Sequence, residues 1–183
     1  IPVPLPSLIS CHSEAFRQLA SWPHLLRAFE RAALGKRRMR AVAAFEFQAA
    51  DRILELQHEL RNGAYRPGPY KHFFIHEPKR RKISAAAFRD RVVHHALCAI
   101  IEPRFERVFI PDSYANRLGK GTHRAIDRLQ QFARRHRYVL RADIRQHFAS
   151  IDHAILLEGL RTLIPEPDVM GLIEVILGGG RDV

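Results

Sequence analysis

Cysteine and long apolar runs are both scarce in this chain of 183 residues. The two cysteines, Cys11 and Cys98, are far apart and follow no metal-ligand spacing, which argues against a disulfide framework and against a cysteine-based zinc site. A chain without disulfides is typical of a reducing compartment, so we expect a cytoplasmic location. No apolar run approaches the length of a membrane span and no signal segment is recognisable, so we expect no membrane partner.

Acidic residues are outnumbered by basic ones. Lysine and arginine total 30 against 19 aspartates and glutamates, which gives a formal net charge of +11 and an isoelectric point of about 10.6. An excess of this size favours a polyanionic partner. No basic amphipathic helix with a strong apolar face stands out, so nucleic acid is a better candidate than an anionic membrane. The alternative is a basic surface that is merely solvated.

Hydrophobic periodicity and turn residues predict an α+β fold with few strands. Apolar residues at steps of three and four predict helices, of which the one over residues 122–136 is expected to bury Ile126, Leu129 and Phe132. Alternation predicts a β-hairpin and, later, one short strand. The predicted helices cover residues 13–34, 42–60, 90–108, 122–136, the segment after Asp152, and 167–177, and the predicted strands cover 71–76, 81–85 and 138–144.

A single carboxylate, Asp143, lies at the end of the predicted strand over residues 138–144. A carboxylate that ends a buried strand is destabilising unless it is paired or binds a cation. A salt bridge to one of the many arginines would satisfy it. A divalent cation would satisfy it too, because Mg²⁺ prefers one or two carboxylates together with the phosphates of a substrate. Phe148, on the turn that follows, is either a core side chain or a flat wall beside whatever the metal holds.

Two further residues near Asp143 have alternative interpretations. Asp152 precedes a predicted helix, where its side chain can accept from the amide of Ala154 or Ile155 as an N-cap. His147 stands four positions after Asp143, and a metal-dependent nuclease could be built on the two. Ligands at i and i+4 need a helix, however, and this stretch is predicted to begin as a strand. The spacing therefore argues against a nuclease site at Asp143 and His147. For Asp152, the position favours an N-cap over a metal ligand.

The turn of the predicted hairpin has the basic sequence PKRRK, residues 78–82. Lys79 and Arg81 are two positions apart, so in a strand they share one face. An arginine fork and a lysine point charge on one face can hold a triphosphate. A charged, solvated turn is the alternative. The segment GKGTH, residues 119–123, opens a helix whose free amides could bind a phosphate, although it lacks the spacing of a P-loop.

Five segments, taken in order, resemble the N-terminal half of a bacterial reverse transcriptase of the group II intron, retron and diversity-generating retroelement type. They are ELRNGAYRPGPY, EPKRRKISAAAFRDRVVHHAL, IIEPRFE, DSYANRLGKGTH and YVLRADIRQHFASIDH. The resemblance implies a right-hand polymerase fragment. A helical N-terminal extension that grips RNA would cover residues 1–62, the fingers 63–125 and the start of the palm 126–183.

The resemblance also implies roles for individual residues. Asp143 would be a catalytic carboxylate that binds Mg²⁺, or Mn²⁺ in its place, with the carbonyl of Ile144 as a second ligand. Phe148 would lie under the sugar of the incoming nucleotide and disfavour a 2′-hydroxyl. The triphosphate would be bound by Lys79 and Arg81. Arg117, in the DSYANR segment, would contact the template or primer.

The implied activity is RNA-directed DNA synthesis, with an RNA template, a DNA or RNA primer and deoxynucleoside triphosphates as partners. The resemblance to the diversity-generating branch would also allow a small accessory protein as a partner. Polymerases of this kind hold their metals with Asp143 and a later aspartate pair, yet no Asp-Asp pair occurs in these 183 residues. We therefore expect the chain to be incomplete and inactive by itself. The alternative is a non-catalytic RNA-binding module or retroelement remnant.

Overall fold

The computed structural model describes residues 12–76 and 80–179, apart from the side chains of residues 148 and 149. Within these ranges the chain is rich in helices and has one antiparallel hairpin, which agrees with the predicted α+β class. None of the helices described is both long enough and apolar enough to cross a bilayer. In chain order the elements are α1 (Glu14–Leu19), α2 (Trp22–Ala33), α3 (Arg40–Phe47), α4 (Ala49–Arg61), β1 (Lys71–Ile75), β2 (Arg81–Ala85), α5 (Phe88–Val108), α6 (Thr122–Ala133), α7 (His147–Ser150), α8 (His153–Leu163) and α9 (Pro167–Gly178).

Each of the first two predicted helices is two helices in the structure. The helix predicted over residues 13–34 divides before Trp22, because Pro23 has no amide hydrogen and is tolerated only in the first turn of a helix, which is where α2 places it. The helix predicted over 42–60 divides at Gln48, whose φ of −121° is not helical. Ile53, Leu56 and Leu60 of α4 are nevertheless fully buried.

The core forms where α2 packs along α5. The side chains of Leu25 and Phe29 from α2 meet Val92 and Val93 from α5, and all four are buried. Phe29, Phe45 and Phe88 form a cluster of edge and stacked ring contacts that adds α3 to this pair. These contacts join the N-terminal helices to the helix that follows the hairpin.

The two ends of the described chain are joined by Ser13 and Asp168. The amide of Ser13 donates to Asp168 Oδ2 at 2.6 Å and its hydroxyl donates to Oδ1 at 2.8 Å. The same hydroxyl oxygen accepts from the amide of Phe16 and so caps α1, while Asp168 lies in the first turn of α9. The N-termini of α1 and α9 thus share one hydrogen-bonded contact.

The predicted hairpin is present, with its two strands paired antiparallel. Lys71 pairs with Ala85, Phe73 with Ile83, and Ile75 with Arg81, and these pairs share one face. On the other face His72 Nδ1 lies 2.9 Å from Ser84 Oγ. The base of the hairpin, where Lys71 pairs with Ala85, lies just before α5 begins at Phe88, so the hairpin projects from the start of that helix.

The strand predicted over residues 138–144 is wrong. Apolar side chains in this segment are exposed, with Tyr138 at 83% and Leu140 at 90%. A strand needs a hydrogen-bonded neighbour, and in the described part of the chain β1 and β2 pair only with each other. The burial predicted for α6 is also wrong: Ile126, Leu129 and Phe132 remain exposed. The apolar face of α6 is therefore left largely exposed within the described part of the chain.

Candidate nucleic-acid interface

A cleft of about 560 Å³ lies between the base of the hairpin and the helices α3 and α5. One wall carries Lys71 and Phe73 from β1, and the opposite wall carries Met39 and Phe45 at α3. Ala85, at the end of β2, lies on the same face of the hairpin as Lys71 and Phe73. The cleft is therefore bounded by the hairpin face that also carries Arg81 further along.

Basic side chains dominate the polar lining of this cleft. Arg52, Lys71, Arg89 and Arg91 line it, and no carboxylate does so among the described residues. The guanidinium of Arg91 lies over the ring of Phe88, 5.2 Å from its centroid, and its Nε is buried without a hydrogen-bond partner in the described chain. A buried donor without a partner is unfavourable, so an added acceptor would be stabilising here.

Arg52 and Arg89 already have acidic neighbours outside the lining. Arg89 donates to Glu59 of α4, and Arg52 pairs with Glu55 at 3.3 Å. Lys71 has no such partner among the described residues, and Phe73 is 49% exposed. Lys71 and Phe73 thus offer a cation and an aromatic face side by side on one strand surface, the combination that binds single-stranded nucleic acid.

A buried carboxylate fixes the hairpin to α5. Asp90, in the first turn of α5, is 1% exposed; its Oδ1 accepts from the hydroxyl of Tyr65 at 3.0 Å and its Oδ2 from the amide of Gly68 at 2.9 Å. Burial, and then the negative charge of Asp90, raise the pKa of Tyr65. Tyr65 and Gly68 belong to the segment that leads into β1, so this contact sets where the hairpin begins.

The triphosphate residues predicted on the hairpin are only partly described. Arg81 begins β2 opposite Ile75, is exposed, and has no ion-pair or hydrogen-bond partner among the described residues. Lys79 lies outside the described residues. Arg80 covers the ring of Phe74, with its guanidinium carbon 4.3 Å from the centroid. Their binding of a triphosphate stays a prediction.

Arg117 is held inside the loop between α5 and α6. Its side chain is only 8% exposed, its Nε and Nη2 donate to Glu106, and its Nη1 donates to the carbonyl oxygens of Ile110 and Ser113. The hydrogen bond to Glu106 raises the pKa of Arg117, and the hydrogen bond from Arg117 lowers the pKa of Glu106. All three guanidinium nitrogens are thus used within the protein. The predicted contact with template or primer is untested.

Asp143 is exposed and lies in the irregular segment between α6 and α7. Its Oδ1 accepts from the amide of Ile144 at 3.0 Å, and Ile144 is 65% exposed. The premise of a carboxylate at the end of a buried strand is therefore wrong. Phe148 lies in α7, a turn further on, and its side chain lies outside the described residues. The metal-binding and gating roles of these residues are untested.

The predicted cap at Asp152 is confirmed. Its Oδ1 accepts from the amides of Ala154 at 2.7 Å and Ile155 at 3.4 Å, at the start of α8. Across residues 12–76 and 80–179 no group of three or more histidine, cysteine, aspartate or glutamate side chains is arranged to hold a metal ion. The described residues alone therefore do not make a complete magnesium site, and Asp143 could supply only part of one.

Comparison with known proteins relates the chain to intron-encoded proteins. It is 30% identical to protein YkfC of Escherichia coli K12 in an alignment of 136 positions that covers 70% of this chain. It is 26% identical over 133 residues, 71% of its length, to the group II intron-encoded protein LtrA of Lactococcus lactis. It is 30% identical over 87 residues, 48% of its length, to nuclear intron maturase 1, mitochondrial, of Arabidopsis thaliana. No protein-family model matches the chain.

These matches confirm the relationship that the motifs indicate: the chain is a relative of reverse-transcriptase and maturase-type proteins. It spans 36% of the length of YkfC, 22% of LtrA and 12% of the Arabidopsis maturase, about a third or less in each case. The match with YkfC and that with LtrA each extend over most of the chain, so they cover more than a single motif.

Sequence reasoning missed the residues that hold this interface together. Asp90 looked like an ordinary acidic residue in the first turn of a helix, and Tyr65 like part of an irregular proline-rich segment. Glu106 gave no signal at all. The signal in the sequence was that Asp90 stands between Arg89 and Arg91, and that a glycine, Gly68, precedes the hairpin and brings a backbone amide to Asp90. That signal does not specify which of the chain's acids is buried.

Proposed function

We propose that this chain forms the template-binding part of an RNA-directed DNA polymerase related to the intron-encoded proteins. The cleft beside the hairpin would hold single-stranded RNA. The observation that carries this proposal is the lining of the cleft, in which four basic side chains and the half-exposed Phe73 occur with no described carboxylate. The net charge of +11 and the relationship to intron-encoded proteins support the same partner.

In the proposed reaction a primer 3′-hydroxyl, of DNA or RNA, attacks a deoxynucleoside triphosphate. Arg81, exposed and unpaired among the described residues, would bind the triphosphate together with Lys79. Phe148 would contact the sugar. Residues 1–62, 63–125 and 126–183 would be the N-terminal extension, the fingers and the start of the palm.

Divalent magnesium, or manganese in its place, is the proposed cofactor. Asp143 and the carbonyl of Ile144 would supply ligands to it, and further ligands would have to come from elsewhere. A metal there would supply charge stabilisation at the reacting oxygens. Asp143 Oδ1 accepts from the amide of Ile144, and Asp143 Oδ2 accepts no backbone hydrogen bond within the described chain.

RNA binding is tested by replacing residues of the cleft and measuring fluorescence anisotropy with a labelled single-stranded RNA over a range of salt. Lys71→Gln should weaken binding of every sequence and lower the salt slope by about one. Phe73→Ala should cost about 1–3 kcal/mol if a base stacks on the ring. Arg161→Gln is the matched control, because Arg161 is exposed and pairs with Glu174 on α9, outside the cleft.

Equal loss of affinity in Lys71→Gln and Arg161→Gln would contradict a specific role for the cleft. The second candidate function, a non-catalytic RNA-binding module, is supported by the relationship to an intron maturase. Primer extension separates the two, using protein expressed from the complete natural reading frame. Asp143→Asn should abolish extension and keep RNA affinity, whereas Asp127→Asn, an exposed carboxylate on α6, should change neither. Absence of extension by the unmodified protein would favour the binding module.

A further inference from the structure

A second pocket, of about 220 Å³, lies between α1, α2 and α5 and shares no lining residue with the cleft. Arg27 and Arg31 of α2 stand one helical turn apart along one side of it, and His95 of α5 stands on the other. Gln18 from α1 completes the polar lining. The pocket therefore collects donors from three helices.

Small residues make room between these donors. Ala28 of α2 and Ala99 of α5 line the pocket between the longer side chains. His24 fixes the two helices together here, because its Nε2 lies 2.9 Å from the carbonyl oxygen of Ala96 and must donate to it. The position of the pocket is therefore set by a buried contact between α2 and α5.

The charge in this pocket is uncompensated within the described chain. No aspartate or glutamate lines it, and neither Arg27 nor Arg31 makes a side-chain hydrogen bond or ion pair with another described residue. Burial, and then the positive charges of Lys36, Arg31 and Arg91, lower the pKa of His95. Like charges brought together without a counter-charge are unfavourable, and a bound anion would remove that penalty.

We propose that this pocket binds a single phosphate group. The pocket has room for a tetrahedral oxyanion, and two guanidinium groups one turn apart can each give paired hydrogen bonds to phosphate oxygens. The Gln18 amide adds a neutral donor, and His95 adds a donor whose charge depends on pH. The inference does not rest on polymerase activity, because it uses no residue of the cleft or of the segment around Asp143. The phosphate could belong to an RNA backbone or to a small phosphate compound.

The test follows the imidazole resonances of His95 by NMR in the 183-residue chain, with His95→Gln used for assignment. Inorganic phosphate is titrated in one series and an oligouridylate lacking terminal phosphates in another, both at constant ionic strength. Arg27→Gln and Arg31→Gln should each weaken the site by about tenfold, the value of a charge-assisted hydrogen bond. The matched control is Arg17→Gln, an exposed arginine on α1 that pairs with Glu14.

Each outcome decides the proposal. If inorganic phosphate shifts the His95 resonances, with a weaker response in Arg31→Gln and an unchanged one in Arg17→Gln, the site takes small phosphates. If only the oligouridylate does so with the same dependence on Arg31, the site takes a backbone phosphodiester. The proposal would be overturned if neither probe shifts the His95 resonances, or if Arg31→Gln and Arg17→Gln lose the same affinity for the probe. Thermal melts confirm folding, and Arg27→Gln serves if Arg31→Gln fails to fold.

Discussion

The hydroxyl of Tyr65 donates to the buried carboxylate of Asp90 at 3.0 Å, and this bond fixes the entry to the hairpin against α5. Asp90→Asn should destabilise the fold by about 2–3 kcal/mol, because the new amide cannot accept from both Tyr65 and Gly68. Tyr65→Phe should cost about 1–2 kcal/mol, since it leaves one carboxylate oxygen without that donor. Urea unfolding measures both, with Asp127→Asn as an exposed control.

If the two residues act as one contact, the double variant should be less unstable than the sum of the single ones. Additive losses would show that Tyr65 and Asp90 stabilise the protein independently. RNA affinity of the folded variants is a further readout, because a displaced hairpin should weaken binding in the cleft without removing any of its cations.

The Arg117–Glu106 pair should control the order of the loop between α5 and α6. Glu106→Gln removes the charge that holds the guanidinium, so backbone amides of residues 109–121 should exchange several-fold faster. Hydrogen exchange with mass spectrometry measures this directly. Arg117→Lys should have a similar effect, because one ammonium nitrogen cannot occupy the three nitrogen positions from which the guanidinium donates to Glu106 and to two carbonyl oxygens.

Glu106→Gln and a further variant, Arg117→Gln, test the predicted contact of Arg117 with nucleic acid. Glu106→Gln keeps the arginine charge, whereas Arg117→Gln removes it. If Arg117 contacts RNA, only Arg117→Gln should lower affinity and the salt slope. Equal RNA affinity in both variants would limit Arg117 to holding the loop.

The bidentate pair between Arg104 and Glu166 should make stability depend on acid pH. Arg104 Nη1 and Nη2 lie 2.6 and 2.5 Å from the two Glu166 oxygens, and the hydrogen bond from Arg104 lowers the pKa of Glu166. A lowered folded-state pKa means that the stabilisation is present above the ordinary glutamate value of about 4.3 and is lost as the pH falls through the lower value. Arg104→Gln should reduce this dependence in thermal melts recorded against pH. An unchanged pH profile in that variant would contradict this assignment.

Asp143 should bind Mn²⁺ weakly even without catalysis. Manganese should broaden the amide resonance of Ile144, which donates to Asp143, and Asp143→Asn should remove most of that effect. The amide next to Asp127 provides the comparison for a lone exposed carboxylate. Equal broadening at the two sites would mean that Asp143 has no special affinity for a divalent cation.

Local signals in the sequence were enough to predict the hairpin and most of the helical segments. The hairpin strands were predicted correctly because alternation and a basic turn depend on neighbouring residues only, and the Asp152 cap was predicted from its position before an apolar helix. The strand over residues 138–144 was predicted wrongly for the opposite reason. Its apolar composition suits a buried strand, but pairing depends on a neighbour that the described chain does not contain.

The sequence was sufficient to predict the chemical class of the partner, but not which residues line the candidate site. An excess of basic residues pointed to nucleic acid, yet which cations would line a cleft depends on how β1 packs beside α3 and α5. The burial of Asp90 and the enclosure of Arg117 likewise arise from contacts between distant residues. Charge alone could not separate Arg117, whose donors are used internally, from Arg81, which is free among the described residues.

The contact between Ser13 and Asp168 has a consequence for the order of folding. The two residues are 155 positions apart, so closing this contact early would carry a large loop-closure entropy. It should therefore form after the transition state, and its loss should speed unfolding while leaving the folding rate nearly unchanged. During synthesis α1 leaves the ribosome long before α9 exists, so the contact of Ser13 with Asp168 can form only when almost all the other helices have been made.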